Sequence, residues 1–224
     1  MIIAKFALAV LIGYLLGSIP FGALLAKRKA KVDVRQYGSG KIGATNVMRI
    51  AGGKTATAVV ALDVSKGALA VIIAGLMIGN SYLVVGGFSV GRLIAQILAA
   101  LAAVAGHIWP VFLKFRGGRG VATYFGGLAA LCPPAAIFGS EMLIVGAGLT
   151  RYASLGSIAG TVSTYAILVP FTIINGWPVE YLVYASTGTT IVFITHRGNI
   201  VRLISGKERK LGDKAERRGP SPPV

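Results

Sequence analysis

This sequence has little charge. Only 13% of the 224 residues are Asp, Glu, Lys or Arg, against 54% hydrophobic, so a soluble globule would lack the charged surface it normally needs. Acidic residues are scarcer still, 7 against 23 Lys and Arg. Cys132 is the lone cysteine, so no intramolecular disulfide can form, and its Leu-Cys-Pro-Pro setting points to packing rather than redox chemistry. The two histidines and the cysteine stand in separate apolar contexts, without His-x-x-x-His or Cys-x-x-Cys spacing. No metal and no cofactor are therefore expected. The nucleotide-binding loop Gly-x-x-x-x-Gly-Lys-Ser/Thr is also missing.

What is present is apolar length. Charge-free stretches run through Phe6–Ala26, Gly67–Gly91, Leu93–Leu113, Gly120–Ser140 and Tyr152–Val179, each long enough for a span of about 20 residues. Backbone groups inside a bilayer must pair within their own segment, which makes helices the default. The spacing places helices near residues 2–26, 55–78, 92–112, 119–133, 136–150, 154–174 and 179–195. The weakest boundary is at Pro133-Pro134, where two short pieces compete with one broken element. No small-residue cleavage site and polar mature domain follow the first run, so it reads as a retained span.

The expected fold is all-α, a polytopic integral membrane protein of about seven transmembrane helices. Residues 27–54 hold eight Lys or Arg against Asp33 alone, and residues 196–224 hold eight against three acidic groups. Both regions are expected on the cytoplasmic side, with the N-terminus outside and the C-terminus inside. Lys114, Arg116, Arg119 and Arg151 then also fall inside, while the stretch 79–91 carries no basic residue and falls outside. Basic residues gathered between spans suit anionic headgroups or phosphorylated substrates better than nucleic acid. Leu211–Val224 is polar and proline-rich and reads as a disordered tail.

Three polar, glycine-punctuated clusters stand at the ends of the apolar runs and would share that face. In Gly38-Ser-Gly-Lys-Ile-Gly-Ala-Thr-Asn-Val-Met-Arg49, Gly40 and Gly43 permit turns that bring amides to an anion. Ser39, Thr45 and Asn46 add neutral donors there, and Arg49 adds a fork for phosphate oxygens. A charged loop whose glycines only make turns explains the same residues. In Gly106-His-Ile-Trp-Pro-Val-Phe-Leu-Lys-Phe-Arg-Gly-Gly-Arg-Gly-Val-Ala-Thr123, the Gly117 and Gly118 amides with Arg119 and Gly120 suit an acyl-linked phosphate beside His107. The alternative is a boundary segment snorkelling to the headgroups. In His196-Arg-Gly-Asn-Ile-Val-Arg-Leu-Ile-Ser-Gly-Lys-Glu208, His196, Asn199 and Arg202 would share one face of a short cytoplasmic helix. His196 reads either as a base or as a hydrogen-bonded anchor. Asp63 and Lys66, three apart within an apolar helix, must pair or face the polar site.

At these clusters the sequence resembles the bacterial acyl-phosphate-dependent glycerol-3-phosphate acyltransferases, the PlsY family. Gly17-Ser-Ile-Pro-Phe-Gly22, Leu62-Asp-Val-Ser-Lys-Gly67 and the terminal His-Arg-x-Asn-Ile-x-Arg-Leu run carry the resemblance too. It implies seven short helices with the active site facing the cytoplasm of a bacterial inner membrane. It also implies transfer of a fatty acyl group from acyl phosphate to glycerol 3-phosphate, releasing inorganic phosphate and 1-acyl-glycerol 3-phosphate. By resemblance Ser39, Gly43, Asn46 and Arg49 belong to the first functional motif, and His107, Gly117, Gly118, Arg119 and Gly120 to the second. His196, Asn199 and Glu208 belong to the third. Lys41 stands where the family usually has Asn, and Arg119 where it has Lys. Residues 1–210 then form a single acyltransferase domain whose partners are acyl phosphate, glycerol 3-phosphate and membrane lipids, with no obligate protein partner. A transporter for phosphorylated metabolites and a lipid-binding scaffold are the competing classes; the cations gather at one side rather than lining midplane segments.

Overall fold

The computed structural model describes residues 2–217, and their order follows the apolar runs. Helix α1 (Ile2–Ser18) breaks at Ile19-Pro20 and resumes as α2 (Phe21–Ala30). Pro20 has no N–H to continue the ladder, so the first expected helix is two pieces. After a 3-10 turn at Val34–Gln36 come α3 (Ala44–Ala51) and α4 (Gly53–Ile78). Helices α5 (Arg92–Ile108), α6 (Val121–Leu131), α7 (Pro133–Thr150), α8 (Ala153–Asn175) and α9 (Val179–Ile204) complete the bundle. Cys132 alone separates α6 from α7, and Pro133 opens α7, where a missing N–H costs nothing. Ile2–Ala30, Gly53–Ile78, Arg92–Leu113 and Ala153–Asn175 are long and apolar enough to cross a membrane.

The expectation of an all-α chain needs one correction. Between α4 and α5 the strands β1 (Leu83–Val85) and β2 (Phe88–Val90) pair antiparallel. Gly86 and Gly87 both have positive φ, +57° and +84°, as a two-residue hairpin turn matching strand twist requires. A β-branched run around Gly-Gly was the readable signal. Gly87-Phe-Ser-Val-Gly91 also spells the nucleophile motif Gly-x-Ser-x-Gly. Ser89 is paired within β2 opposite Val84 rather than set on a strand-to-helix elbow, so the spelling carries no triad.

Helix α1 packs against α4 and α5, α4 against α6, and α7 against α8, which in turn meets α9. Ala9, Ala70, Ala99 and Ala103 are buried along the α1, α4 and α5 seams, where small side chains let backbones approach closely in lipid. Tyr124 of α6 and Tyr184 of α9 stack at 5.2 Å, and the Tyr184 hydroxyl donates to the Tyr124 carbonyl at 2.9 Å. This packing brings the end of α5, the start of α6, the start of α8 and the end of α9 together.

Residues 205–217 form a strap over that end. The Leu211 amide donates to the Arg151 carbonyl at 2.7 Å, the Gly38 amide donates to the Glu216 carbonyl at 2.9 Å, and Tyr37 bridges Arg217. Residues 211–217 thus carry defined hydrogen bonds where composition suggested a disordered tail. The rest of that tail, 218–224, lies outside the described residues.

Candidate active site

The first cluster is organised around one side chain. Asn46, buried in the first turn of α3, donates through Nδ2 to the carbonyls of Val34, Tyr37 and Lys41 at 3.1, 3.1 and 2.9 Å. Its Oδ1 accepts from the Ser39 amide at 3.2 Å. The loop is wrapped on Asn46, whose amide is spent on backbone groups rather than offered to a phosphate. Val47 of α3 is buried and Ala44 and Ile50 pack beside it, so the opposite face carries Arg49 to the cavity. The Arg49 Nη2 donates to the carbonyls of Arg209 and Lys210 at 3.3 and 3.0 Å, while Nε is buried without a partner.

The second cluster turns back on α5. The Gly117 amide donates to the Ile108 carbonyl at 3.1 Å and the Gly118 amide to the His107 carbonyl at 3.0 Å. Those amides close the return by donating to carbonyls at the end of α5. Glycine is needed at 118 because a Cβ there would overlap the His107 imidazole. The return seats Arg119 beside the cavity with its Nε buried and unpartnered. Burial pushes this guanidinium down to about 10, with Glu208 pulling it up and Arg202 down, so it stays charged at neutral pH.

The third cluster is the last turns of α9, which runs on to Ile204 rather than yielding to a separate helix. His196 and Asn199 are 1% and 5% exposed. The His196 Nδ1 lies 2.8 Å from the Val192 carbonyl. A carbonyl only accepts, so Nδ1 carries the proton and Nε2 keeps its lone pair. Glu208 is the strap's anchor. Its carboxylate accepts from Ser154 Oγ at 2.9 Å, from Asn199 Nδ2 and from Arg202 Nε at 2.8 Å. Burial pushes the Glu208 carboxyl up, and the bonds from Asn199, Ser154 and Arg202 outweigh it, holding the group below its ordinary 4.5. Glu208 and Arg202 thus form an ion pair through Arg202 Nε.

A lowered carboxyl pKa contributes stability that is present above the unfolded value and lost as pH falls through the folded one. The wild-type protein should therefore lose stability below about pH 4.5, the ordinary value of the group. Glu208→Gln should be less stable at neutral pH and flatter over that acid range. Thermal unfolding of both proteins from neutral to acidic pH checks this; parallel curves would contradict the assignment.

One cavity of about 420 Å³ receives these groups. Ser39, Gly43, Thr45, Asn46, Arg49, Asp63, His107, Arg119, Gly120, His196, Asn199, Arg202 and Glu208 all line it. Gly40, Lys66, Gly117 and Gly118 are not among its lining residues. Lys66 instead pairs with Asp63 at 2.8 Å, both nearly fully buried, and donates to the Ile19 carbonyl at the Pro20 break at 3.1 Å. His107 Nδ1 lies 3.4 Å from the same Asp63 oxygen.

Sequence reasoning missed the other half of the cavity. Val60 and Val64 of α4, Val121 and Phe125 of α6, and Leu143 and Ile144 of α7 form an apolar wall. Val60 and Ile144 are 42% and 67% exposed, so the wall opens sideways between helices. Ser154 and Arg209 were missed as well, because a serine starting a helix and an arginine in a basic tail carry no motif. The cavity therefore joins a cationic end, with two orphaned guanidinium N–H groups, to an apolar trough. Such a shape suits an anionic head joined to an apolar chain.

Comparison with known proteins agrees with that chemistry. The sequence profile of the glycerol-3-phosphate acyltransferase family matches residues 7–206. The chain is 61% identical over 215 residues to glycerol-3-phosphate acyltransferase 3 of Dehalococcoides mccartyi strain CBDB1, covering 96% of this chain and 100% of that one. It is 39% identical over 212 residues to the glycerol-3-phosphate acyltransferase of Thermoanaerobacter pseudethanolicus, covering 93% and 97%. The crystal structure of PlsY (YgiH), an integral membrane glycerol 3-phosphate acyltransferase, in its glycerol 3-phosphate form, superposes with a TM-score of 0.79. That match is at 38% identity over 92% of this chain and 96% of the other. Its lysophosphatidic acid form superposes at 0.76, with 36% identity. With near full-length coverage on both sides, and with apolar helices that match an integral membrane neighbour, the chain is a helical membrane protein that belongs to the glycerol-3-phosphate acyltransferase family.

Proposed function

We propose that the protein transfers a fatty acyl group from acyl phosphate to glycerol 3-phosphate at the cytoplasmic face of a bacterial inner membrane. The products are 1-acyl-glycerol 3-phosphate and inorganic phosphate. Seven spans with the N-terminus outside agree with Lys41 and Arg49 of the first basic region and Arg202 and Arg209 of the second lining one cavity. The observation that carries the reading is the junction in one cavity of unpartnered Arg49 and Arg119 N–H groups with an apolar trough open to lipid.

The chemistry asks little beyond positioning, because the acyl donor brings its own phosphate leaving group. The acyl chain lies against Val64, Phe125 and Leu143. Arg49 and Arg119 hold the phosphates. Ser39 and neutral His196 orient the glycerol hydroxyl toward the carbonyl carbon. The hydroxyl oxygen bonds to that carbon, the carbon–oxygen bond to phosphate breaks, and a phosphate oxygen takes the hydroxyl proton. Guanidinium charge stabilises the tetrahedral oxyanion.

Purified protein in detergent should release inorganic phosphate and form lysophosphatidate from acyl phosphate plus glycerol 3-phosphate. Faster turnover of an acyl thioester would instead move the chain to a different donor. Arg119→Ala removes a charge-assisted contact worth about 1.5–3 kcal/mol, so kcat/KM should fall about 10- to 150-fold, and Arg119→Lys should keep part of it. Unchanged kinetics in the folded Ala variant would remove Arg119 from the clamp.

A further inference from the structure

The strap does more than cover the cavity. Glu208 is fixed by Ser154, Asn199 and Arg202, and the residue after it, Arg209, lines the cavity. Arg49 donates to the Arg209 and Lys210 carbonyls, which seats two guanidinium-bearing residues against each other. Burial, then the neighbouring Arg209 charge, lower the Arg49 guanidinium below its ordinary value. Glu208 is paired with Arg202 and Asp63 with Lys66, and Asp213, whose charge Arg49 also feels, accepts from the Lys210 amide at 2.7 Å, so these carboxylates offset the cluster only in part. The Nε groups of Arg49 and Arg119 are buried without acceptors. Like charges gathered beside orphaned donors are costly unless an anion joins them.

We propose that the Arg209 side chain is a third arm of the anion clamp, binding a phosphate group of the ligand together with Arg49 and Arg119. The charge balance supports a third arm. The two phosphate groups of an acyl phosphate and glycerol 3-phosphate carry about −1.5 to −2 each at neutral pH, more than Arg49 and Arg119 offset alone, and Arg209 stands with Lys41 among the further cations lining the cavity. Because Arg209 belongs to the strap, ligand phosphate also ties the strap to the membrane-embedded half of the site. The strap also holds the loop at Tyr37-Gly38, whose Gly38 amide donates to the Glu216 carbonyl and whose Tyr37 bridges Arg217. The proposal rests on the reading of the cavity as a phosphate-ester site.

Titration calorimetry with inorganic phosphate and with glycerol 3-phosphate tests it on the full-length protein in detergent. Arg209→Gln should weaken binding about 10-fold or more, the loss of one charge-assisted contact. Arg209→Lys should bind within about 3-fold of wild type, retaining the point charge. Arg28→Gln, a remote exposed cation on α2, should bind like wild type, and an equal loss there would mean only bulk charge is sensed and would overturn the proposal. Phosphate should also slow tryptic cleavage after Arg209 and Lys210 in the wild-type protein. Normal binding by Arg209→Gln would overturn the third arm while leaving the acyltransferase reading intact. Failure of the wild-type protein to bind either phosphate compound would overturn both.

Discussion

Asp63→Ala is expected to destabilise the folded protein by about 3–5 kcal/mol, the usual consequence of leaving one member of a buried ion pair alone. Lys66 would remain 2% exposed within α4 with only the Ile19 carbonyl as an acceptor. Attraction at 2.8 Å presently offsets the desolvation of both ions. The loss should spread to the site, because the Asp63 carboxylate also faces His107, and Lys66 holds the carbonyl exposed where Pro20 interrupts α1 and α2. Thermal unfolding in detergent is the measurement, and Asp63→Ala combined with Lys66→Met is the control. Removing both charges and keeping the stem volume should recover most of the stability. A single variant as stable as wild type, or a double variant no better than the single, would show that the pair is not what stabilises this junction.

That pair also shows what the sequence could and could not reveal. Charged residues three apart in an apolar helix had to pair or face polar groups, and Asp63 does both. The long helices were legible because apolar runs of span length have few alternatives. The break at Pro20 was written in the chain too, since proline removes a helix donor, yet the uninterrupted hydropathy on either side hid it. Roles within the clusters were harder to read. Asn46 has the same side chain whether it donates to phosphate or to three backbone carbonyls, and only the path of the loop decides. The Gly117 and Gly118 amides pose the same ambiguity: glycine at 118 answers the His107 ring rather than an anion. The apolar wall of the cavity drew from α4, α6 and α7, which meet only through tertiary packing. Ser154 and Glu208 lie 54 residues apart, a separation no local spacing rule reaches.

His196→Ala should lower turnover by about 100-fold while leaving the protein folded, and His196→Gln should restore part of that loss. The His196 ring is held by the Val192 carbonyl with the proton on Nδ1, so Nε2 is available to accept a hydrogen bond from the glycerol hydroxyl. A glutamine amide oxygen can accept the same bond but cannot take up the proton at neutral pH. If the imidazole orients the hydroxyl and a substrate phosphate removes the proton, the Gln variant keeps the pH response set by the substrate, and its defect is mainly in kcat. If the imidazole is itself the base, its removal costs up to about 10⁴-fold and abolishes the ionisation that belongs to the ring in both variants alike. A pH–rate series on wild type, His196→Ala and His196→Gln, each normalised to folded protein, separates the two. A Gln variant as slow as the Ala variant, with the acid limb of the wild-type profile gone from both, would assign proton removal to His196. Wild-type rates in both variants would leave His196 as a buried anchor for the last turns of α9 and nothing more.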